Sequence, residues 1–182
     1  ENRARDVWRH PKETLTFFGF RRDMTVMEIW PGGGWYTEVL APALREHGRY
    51  VAASWDTNSK SDYVQRNSRR LAEKLAAGPG QYDRAQVVAL QSPNALKPVA
   101  DGTVDMVLTF RNIHSWMNED PAEAGAMFKA MYAALKPGGI LGVVEHRAKI
   151  DKPQDPTAES GYVRKDYAIA LIEGAGFELV AE

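Results

Sequence analysis

Residues 26–40, VMEIWPGGGWYTEVL, decide the fold of this chain. The stretch begins with an apolar run typical of a buried strand, passes through three consecutive glycines and continues with the apolar spacing of a helix. Glycine loses more conformational entropy on folding than other residues, so a run of it between two regular elements indicates that the main chain passes close to another group. That group is either another part of the protein or a ligand.

Strand-like and helix-like patterns alternate along the rest of the chain. The strand patterns cover residues 25–30, 49–56, 85–90, 104–110 and 140–145, and a sixth begins at 177. The helix patterns cover residues 11–20, 36–44, 62–78, 124–139 and 164–176. Strands that alternate with helices predict a doubly wound, Rossmann-like α/β fold, in which a mostly parallel sheet is covered by helices on both faces.

The length of the chain predicts one domain over residues 1–182. Its basic and aromatic first part, residues 1–20, is either a lid that folds over the site or a helix at the edge of the sheet. The sixth strand pattern starts where the sequence stops, so we expect a truncated C-terminus with one or more strands missing.

Several side chains within the helix patterns are expected to face the core. In the first helix these are Leu15, Phe17 and Phe18, and in the helix at 124–139 they are Met127, Phe128, Met131, Tyr132 and Leu135. We expect the KPGG sequence at 136–139 to end the second of these helices, and Pro42 to interrupt the helix at 36–44.

Composition and charge exclude several classes of function. The chain has 44% hydrophobic and 26% charged residues, as in an ordinary soluble globular protein, and no apolar stretch reaches membrane-spanning length. A net charge of -1 gives no electrostatic reason to expect nucleic acid or an anionic membrane as a partner. There is no cysteine for disulfide or thiolate chemistry. The four histidines are too scattered for a metal site, so we expect no metal.

The glycine turn lies where doubly wound sheets bind nucleotides, beyond the carboxyl end of the first strand. Asp56 closes the second strand, where an acid can bind the ribose hydroxyls of an adenosine ligand. The alternatives are a turn that only reverses the chain and an aspartate that only caps a helix. A dinucleotide fingerprint needs a third glycine at the position of Thr37, and Glu28 within the first strand suits a ligand with an ammonium group. The pattern therefore points away from NAD.

Several motifs resemble those of the class I S-adenosylmethionine-dependent methyltransferases. Residues 28–34 resemble the acid and glycine-rich turn of their motif I, while DGTVDMVLTF at 101–110 and ALKPGGILGVVE at 134–145 resemble their fourth and fifth strand regions. PGGGWYTE at 31–38 and FRNIHSW at 110–116, with GYVRKDY at 161–167, resemble a bacterial group of predicted methyltransferases.

The resemblance implies a set of residues that bind the cofactor, S-adenosylmethionine. The main chain of Pro31, Gly32, Gly33 and Gly34 would lie against its methionine part, so that a side chain at Gly34 would occupy the ligand's space. Glu28 would orient the same region, and Asp56 would hold the ribose. Apart from the resemblance, the aromatic face of Trp55 is expected either to attract the sulfonium or to pack in the core. Two residues depart from the family pattern. Trp30 replaces a glycine and fills space beside the turn, and Ser92 stands where many relatives have an acid near the adenine, which its hydroxyl would contact instead.

Residues that act on a methyl acceptor are expected after strands four and five. Histidine is a common general base near neutral pH, which makes His114 a candidate, although a structural role is as well supported by the sequence. Asn112 either orients an acceptor or caps the next helix, and Arg111 either binds an anionic substrate or forms a surface ion pair. Glu145, His146 and Arg147, after the fifth strand, rank below His114 because the loop that follows them is long.

The sequence thus favours an enzyme that transfers a methyl group to a small-molecule acceptor, which it does not identify. Two alternatives stay open: a non-catalytic domain that binds S-adenosylmethionine, and an NAD-dependent oxidoreductase. A cytoplasmic location is favoured, and an exported form stays open because the first residue shown is Glu1 rather than methionine.

Overall fold

A computed structural model describes residues 2–56 and 58–182 of the chain. Its centre is a five-stranded sheet in which every neighbouring pair of strands is parallel. The strands are β1 (Thr25–Ile29), β2 (Arg49–Ser54), β3 (Gln86–Ala89), β4 (Val104–Phe110) and β5 (Leu135–Val144). Their order across the sheet is β3-β2-β1-β4-β5, as expected for a doubly wound fold.

Helices connect the strands and cover both faces of the sheet, which confirms the predicted fold class. A short 3₁₀-helix at Asn2–Arg5 precedes them. The helices are α1 (Asp6–Arg9), α2 (Pro11–Phe17), α3 (Thr37–Leu44), α4 (Asp62–Ala77), α5 (Pro79–Tyr82), α6 (Ile113–Glu119), α7 (Glu123–Ala134) and α8 (Lys165–Glu173). Within the described ranges, no helix combines the length and the apolar character needed to cross a membrane.

The two faces of the sheet belong to two separate hydrophobic cores. Met27 and Ile29 of β1 lie in the core that α6 and α7 cover, while Val26 lies in the core that α2 and α3 cover. Because side chains alternate along a strand, Glu28 shares a face with Val26. The sheet therefore carries a carboxyl group into a largely apolar layer.

The carboxyl ends of the strands meet along one edge of the sheet and set the position of the site. Trp30 directly follows β1, Trp55 follows β2, Arg111 follows β4 and Glu145 follows β5. Residues far apart in the chain are thereby brought to one edge, which is where doubly wound folds bind ligands.

The structure corrects several expectations about secondary structure. Residues 177–182 form no strand, since their backbone has no ladder partner in the described part of the chain. The helix that contains Pro42 is not interrupted there but ends two residues later, at Leu44. The helix expected over 124–139 ends at Ala134, before the KPGG sequence, which lies within β5 between the Leu135–Val104 and Ile140–Met106 pairs.

Two aromatic side chains expected in the core are exposed. The exposed fraction of Phe17 is 56%, because the short helix α2 buries only Leu15. The exposed fraction of Tyr132 is 50%, and its ring contacts Phe177 instead, with 5.1 Å between the ring centroids. Met127, Phe128 and Met131, by contrast, are buried as expected.

Candidate functional site

A cleft of about 1200 Å³ opens at the carboxyl edge of the sheet. This volume is large enough for a cofactor together with a small molecule. Most of the residues predicted from the sequence to act there lie along its walls: Glu28, Pro31, Gly32, Gly33, Trp55, Arg111, Asn112 and His114. Gly34, Asp56 and Ser92 do not lie along its walls.

Glu28 is a buried carboxyl held by two hydroxyl groups. Its exposed fraction is 2%. Its Oε2 accepts hydrogen bonds from the Tyr50 hydroxyl at 2.6 Å and the Thr37 hydroxyl at 3.3 Å, and the two hydroxyl oxygens are 2.8 Å apart. Burial raises the pKa of Glu28 to about 7, against the opposing effect of these hydrogen bonds and of Arg9. Thr37, which the sequence showed only as a missing glycine, is thus a partner of this carboxyl.

The three glycines of the turn have different structural roles. Gly32 and Gly34 have φ angles of +60° and +78°, which side chains disfavour, whereas Gly33 has no such requirement. A Cβ atom at Gly34 would lie 3.0 Å from side-chain carbons of Leu71 and Lys74 on α4. The expectation that a side chain at Gly34 would enter the ligand's space is therefore wrong: it would collide with α4.

Trp30 fills the wall of the cleft between the ends of β1 and β3. Its φ angle is 46°, its indole is buried, and the indole Nε1 donates a hydrogen bond to the carbonyl of Leu90 at 2.8 Å. The ring lies 5.0 Å from that of Trp55, between centroids. Trp30 therefore fills space beside the glycine turn, as its position in the motif predicts.

Of the two residues expected on the adenosine side, Asp56 has a partner within the protein. Oδ1 of Asp56 accepts hydrogen bonds from the backbone nitrogen and the side-chain amide of Asn58, at 2.9 and 3.0 Å. Ser92 lies in the loop after β3. Their contacts with a cofactor stay predictions.

His114 is positioned by Glu145. The Nδ1 atom of the imidazole is 3.0 Å from Oε1 of Glu145, and Oε2 of the same carboxylate accepts hydrogen bonds from the backbone nitrogens of Ile113 and His114. Glu145 thus both caps the first turn of α6 and orients the ring. Since Nδ1 is engaged, Nε2 is the ring nitrogen left to act on a ligand. Sequence reasoning ranked Glu145 below His114, and its position directly after β5 was the signal for this role.

Asn112 joins the ends of two strands. Its Nδ2 donates hydrogen bonds to the carbonyl of Ile29 at 2.8 Å and to the Thr109 hydroxyl at 3.1 Å, and its side chain does not cap α6. The amide therefore holds β1 and β4 together at the edge of the cleft.

The N-terminal segment forms part of the cleft wall. Asn2, Arg5 and Arg9 line the cleft, and the carbonyls of Asn2 and Arg9 accept hydrogen bonds from the Trp35 indole at 3.0 Å and the Tyr36 hydroxyl at 3.3 Å. The sequence left open whether this segment covers the site or the sheet edge. The contacts place residues 2–9 over the residues that follow the glycine turn.

A family model of the methyltransferase domain matches residues 28–143 of this chain. The chain belongs to the class I S-adenosylmethionine-dependent methyltransferases. The match begins at Glu28 and spans the glycine turn, α6 and most of β5. The sequence leaves S-adenosylmethionine and NAD open as cofactors. The cofactor of this family is S-adenosylmethionine and not NAD.

Curated relatives include the ubiquinone/menaquinone biosynthesis C-methyltransferases UbiE of two bacteria. The protein of Klebsiella pneumoniae is 27% identical over 169 residues, which cover 93% of this chain and 58% of that protein. The protein of Haemophilus ducreyi is 29% identical over 147 residues, which cover 81% and 50%. The chain therefore spans about half the length of the curated relatives it matches.

Solved structures show the same fold. A SAM-dependent methyltransferase from Aquifex aeolicus has a TM-score of 0.70 at 20% identity, covering 94% of this chain and 81% of that one. The [4+2]-cyclase SpnF has a TM-score of 0.68 at 18% identity, covering 95% and 57%. At these identities the likeness establishes the architecture of the sheet and its helices.

Proposed function

We propose that this chain is an S-adenosylmethionine-dependent methyltransferase that acts on a small molecule. One observation carries the proposal: Glu28 and the glycine turn line the same cleft as His114, whose ring Glu145 orients. The cleft therefore combines a carboxyl group for the ammonium group of the cofactor with a histidine base for the methyl acceptor. The cytoplasm, where this cofactor is made, is the proposed location.

The glycine turn fits the cofactor. Gly33 has an ordinary φ angle, and a Cβ atom there would meet only side-chain carbons of Arg70, at 3.8 and 3.9 Å. The protein itself therefore does not require glycine at this position, and the bare main chain leaves room for a ligand. Glu28 would bind the ammonium group, the main chain of 31–33 the methionine part, and Trp55 the sulfonium, with Asp56 proposed for the ribose.

When bound, S-adenosylmethionine supplies a methyl group activated by a positively charged sulfur. The residues of the chain align the acceptor and remove its proton. Nε2 of His114 takes that proton as general base. The carboxylate of Glu145, on Nδ1, holds the ring in position and stabilises the imidazolium that results.

Isothermal titration with S-adenosylhomocysteine tests the proposal. We expect the wild-type chain to bind this product and Gly33→Val to lose most of the affinity, because the added side chain fills the space beside the turn. Gly80→Val is the matched control, since a Cβ atom at Gly80 meets nothing within 4 Å and Gly80 lies outside the cleft. No binding to the wild-type chain would contradict the proposal. Binding without release of S-adenosylhomocysteine from S-adenosylmethionine across a broad set of acceptors would favour the non-catalytic alternative.

A further inference from the structure

Three arginines from two distant parts of the chain line the cleft together. Arg5 and Arg9 come from the N-terminal segment, and Arg111 directly follows β4. Within residues 2–56 and 58–182, none of the three forms an ion pair with a carboxylate. The guanidinium of Arg9 instead lies 4.5 Å from the centroid of the Trp35 ring. The cleft therefore contains a cluster of positive charge that is not neutralised by direct pairing.

The positive charges of Arg111 and Arg5 repel that of Arg9. Arg9 is partly buried, and its pKa is lowered to about 10, first by burial and then by the charges of Arg111 and Arg5. The attraction of Glu28 acts in the opposite direction and is weaker than either repulsion. A negatively charged ligand placed among the three guanidinium groups would relieve this repulsion.

Arg111 connects the arginine cluster to the part of the cleft that contains His114. Arg111 is three residues before His114, and its φ angle of 61° is one that side chains rarely adopt. Its backbone nitrogen donates a hydrogen bond to the carbonyl of Val144 at 2.7 Å, which fixes the residue at the ends of β4 and β5. Arg9 experiences the charge of Arg111 more strongly than that of Glu28, the proposed ligand of the cofactor's ammonium group.

We propose that Arg5, Arg9 and Arg111 bind a carboxylate or phosphate group of the methyl acceptor and hold its nucleophile near His114. This inference rests on the proposed methyltransferase function and narrows its substrates to anionic small molecules. Guanidinium groups suit such a ligand because their paired donors match carboxylate and phosphate oxygens. The carboxylate of the cofactor's methionine part is the other anionic group that these arginines would bind, and the experiment distinguishes it from an anionic acceptor.

Titration calorimetry with small anions tests the inference. The probes are benzoate and inorganic phosphate, with benzamide as the neutral analogue of benzoate, added to protein saturated with S-adenosylhomocysteine. The variants are Arg9→Gln and Arg111→Gln, and Arg66→Gln is the control because Arg66 is exposed on α4 and outside the cleft. We expect at least one anion to bind more tightly than benzamide, with affinity at least tenfold lower in both cleft variants and unchanged in the control.

Three results would overturn the inference. The first is that neither anion binds the wild-type chain more tightly than benzamide. The second is that Arg66→Gln weakens anion binding as much as the cleft variants do. The third is that the cleft variants lose affinity for S-adenosylhomocysteine but not for the anions, which would assign the arginines to the cofactor.

Two further measurements keep these results interpretable. Circular dichroism shows whether the glutamine variants fold, and Arg9→Lys and Arg111→Lys, which keep the charge, replace any that do not. The anion titrations are repeated without S-adenosylhomocysteine. If the wild-type chain fails to bind S-adenosylhomocysteine, the methyltransferase proposal fails, while the anion titrations still decide whether the arginine cluster is an anion site.

Discussion

The protonation state of Glu28 is expected to control how tightly the cleft holds its cofactor. Burial raises the pKa of this carboxyl from 4.5 to about 7, so in the free protein it is largely protonated below pH 7 and ionised above it. Only the ionised form forms an ion pair with the cofactor's ammonium group. Below pH 7, binding must therefore first remove a proton, and affinity falls as the pH falls.

The size of this effect follows from the pKa. If only ionised Glu28 binds, the apparent dissociation constant is multiplied by 1 + 10^(pKa − pH), which for a pKa of about 7 is about 11 at pH 6 and about 1.1 at pH 8. Affinity for S-adenosylhomocysteine should therefore be about tenfold higher at pH 8 than at pH 6, or about 1.4 kcal/mol.

Isothermal titration at pH 6, 7 and 8 measures the effect in the wild-type chain and two variants. Glu28→Gln should bind weakly at every pH and lose the tenfold change, because its amide cannot ionise. Glu123→Gln is the matched control: burial also raises the pKa of Glu123 to about 7, but Glu123 lies outside the cleft. Equal wild-type affinity at pH 6 and 8, or wild-type affinity in Glu28→Gln, would refute this reasoning.

Three further predictions concern stability and turnover. Between about pH 4.5 and 7, Glu123 keeps its proton in the folded chain but loses it in the unfolded chain, so the free energy of unfolding should fall as the pH rises through this window. Urea titrations should show a smaller fall in Glu123→Gln. Gly34→Ala should lower the free energy of unfolding in urea by about 1–3 kcal/mol, because the new methyl group meets α4 at a positive φ; an unchanged midpoint would contradict this contact. Glu145→Gln keeps an oxygen to cap α6 but loses the negative charge beside Nδ1 of His114, so release of S-adenosylhomocysteine with an acceptor should slow by about 10²-fold at unchanged cofactor affinity; equal turnover would contradict the positioning role of Glu145.

Much of the fold could be predicted from the sequence because it depends on local patterns. A period of two marks a strand and a period of 3.6 marks a helix, whatever lies elsewhere in the chain. The alternation of these periods, with the glycines at 32–34, therefore predicted the parallel sheet and the position of its ligand edge. The errors fell where a local pattern needs a distant neighbour. Residues 177–182 have a strand pattern, but no strand pairs with them among residues 2–56 and 58–182. Phe17 has the spacing of an inward-facing helical residue, but its helix is too short to bury it.

The roles of individual residues depended on tertiary structure. The sequence does not distinguish the three glycines of the turn. In the structure, a Cβ atom at Gly34 would lie too close to α4, whereas a Cβ atom at Gly33 would meet Arg70 only at an ordinary van der Waals distance. Glu28 could be recognised as an acid in a strand, but its raised pKa arises from burial between elements that the sequence does not place in space.

The sequence by itself determined the alternation of five strands with helices, the glycine turn and the family to which the chain belongs. Only the tertiary structure decided that Glu145 orients His114 and that Arg5 and Arg9 join Arg111 across about a hundred residues of chain. The physical reason is that burial, hydrogen bonding and Coulomb interaction depend on distance in space. Secondary structure, by contrast, depends mainly on neighbours along the chain.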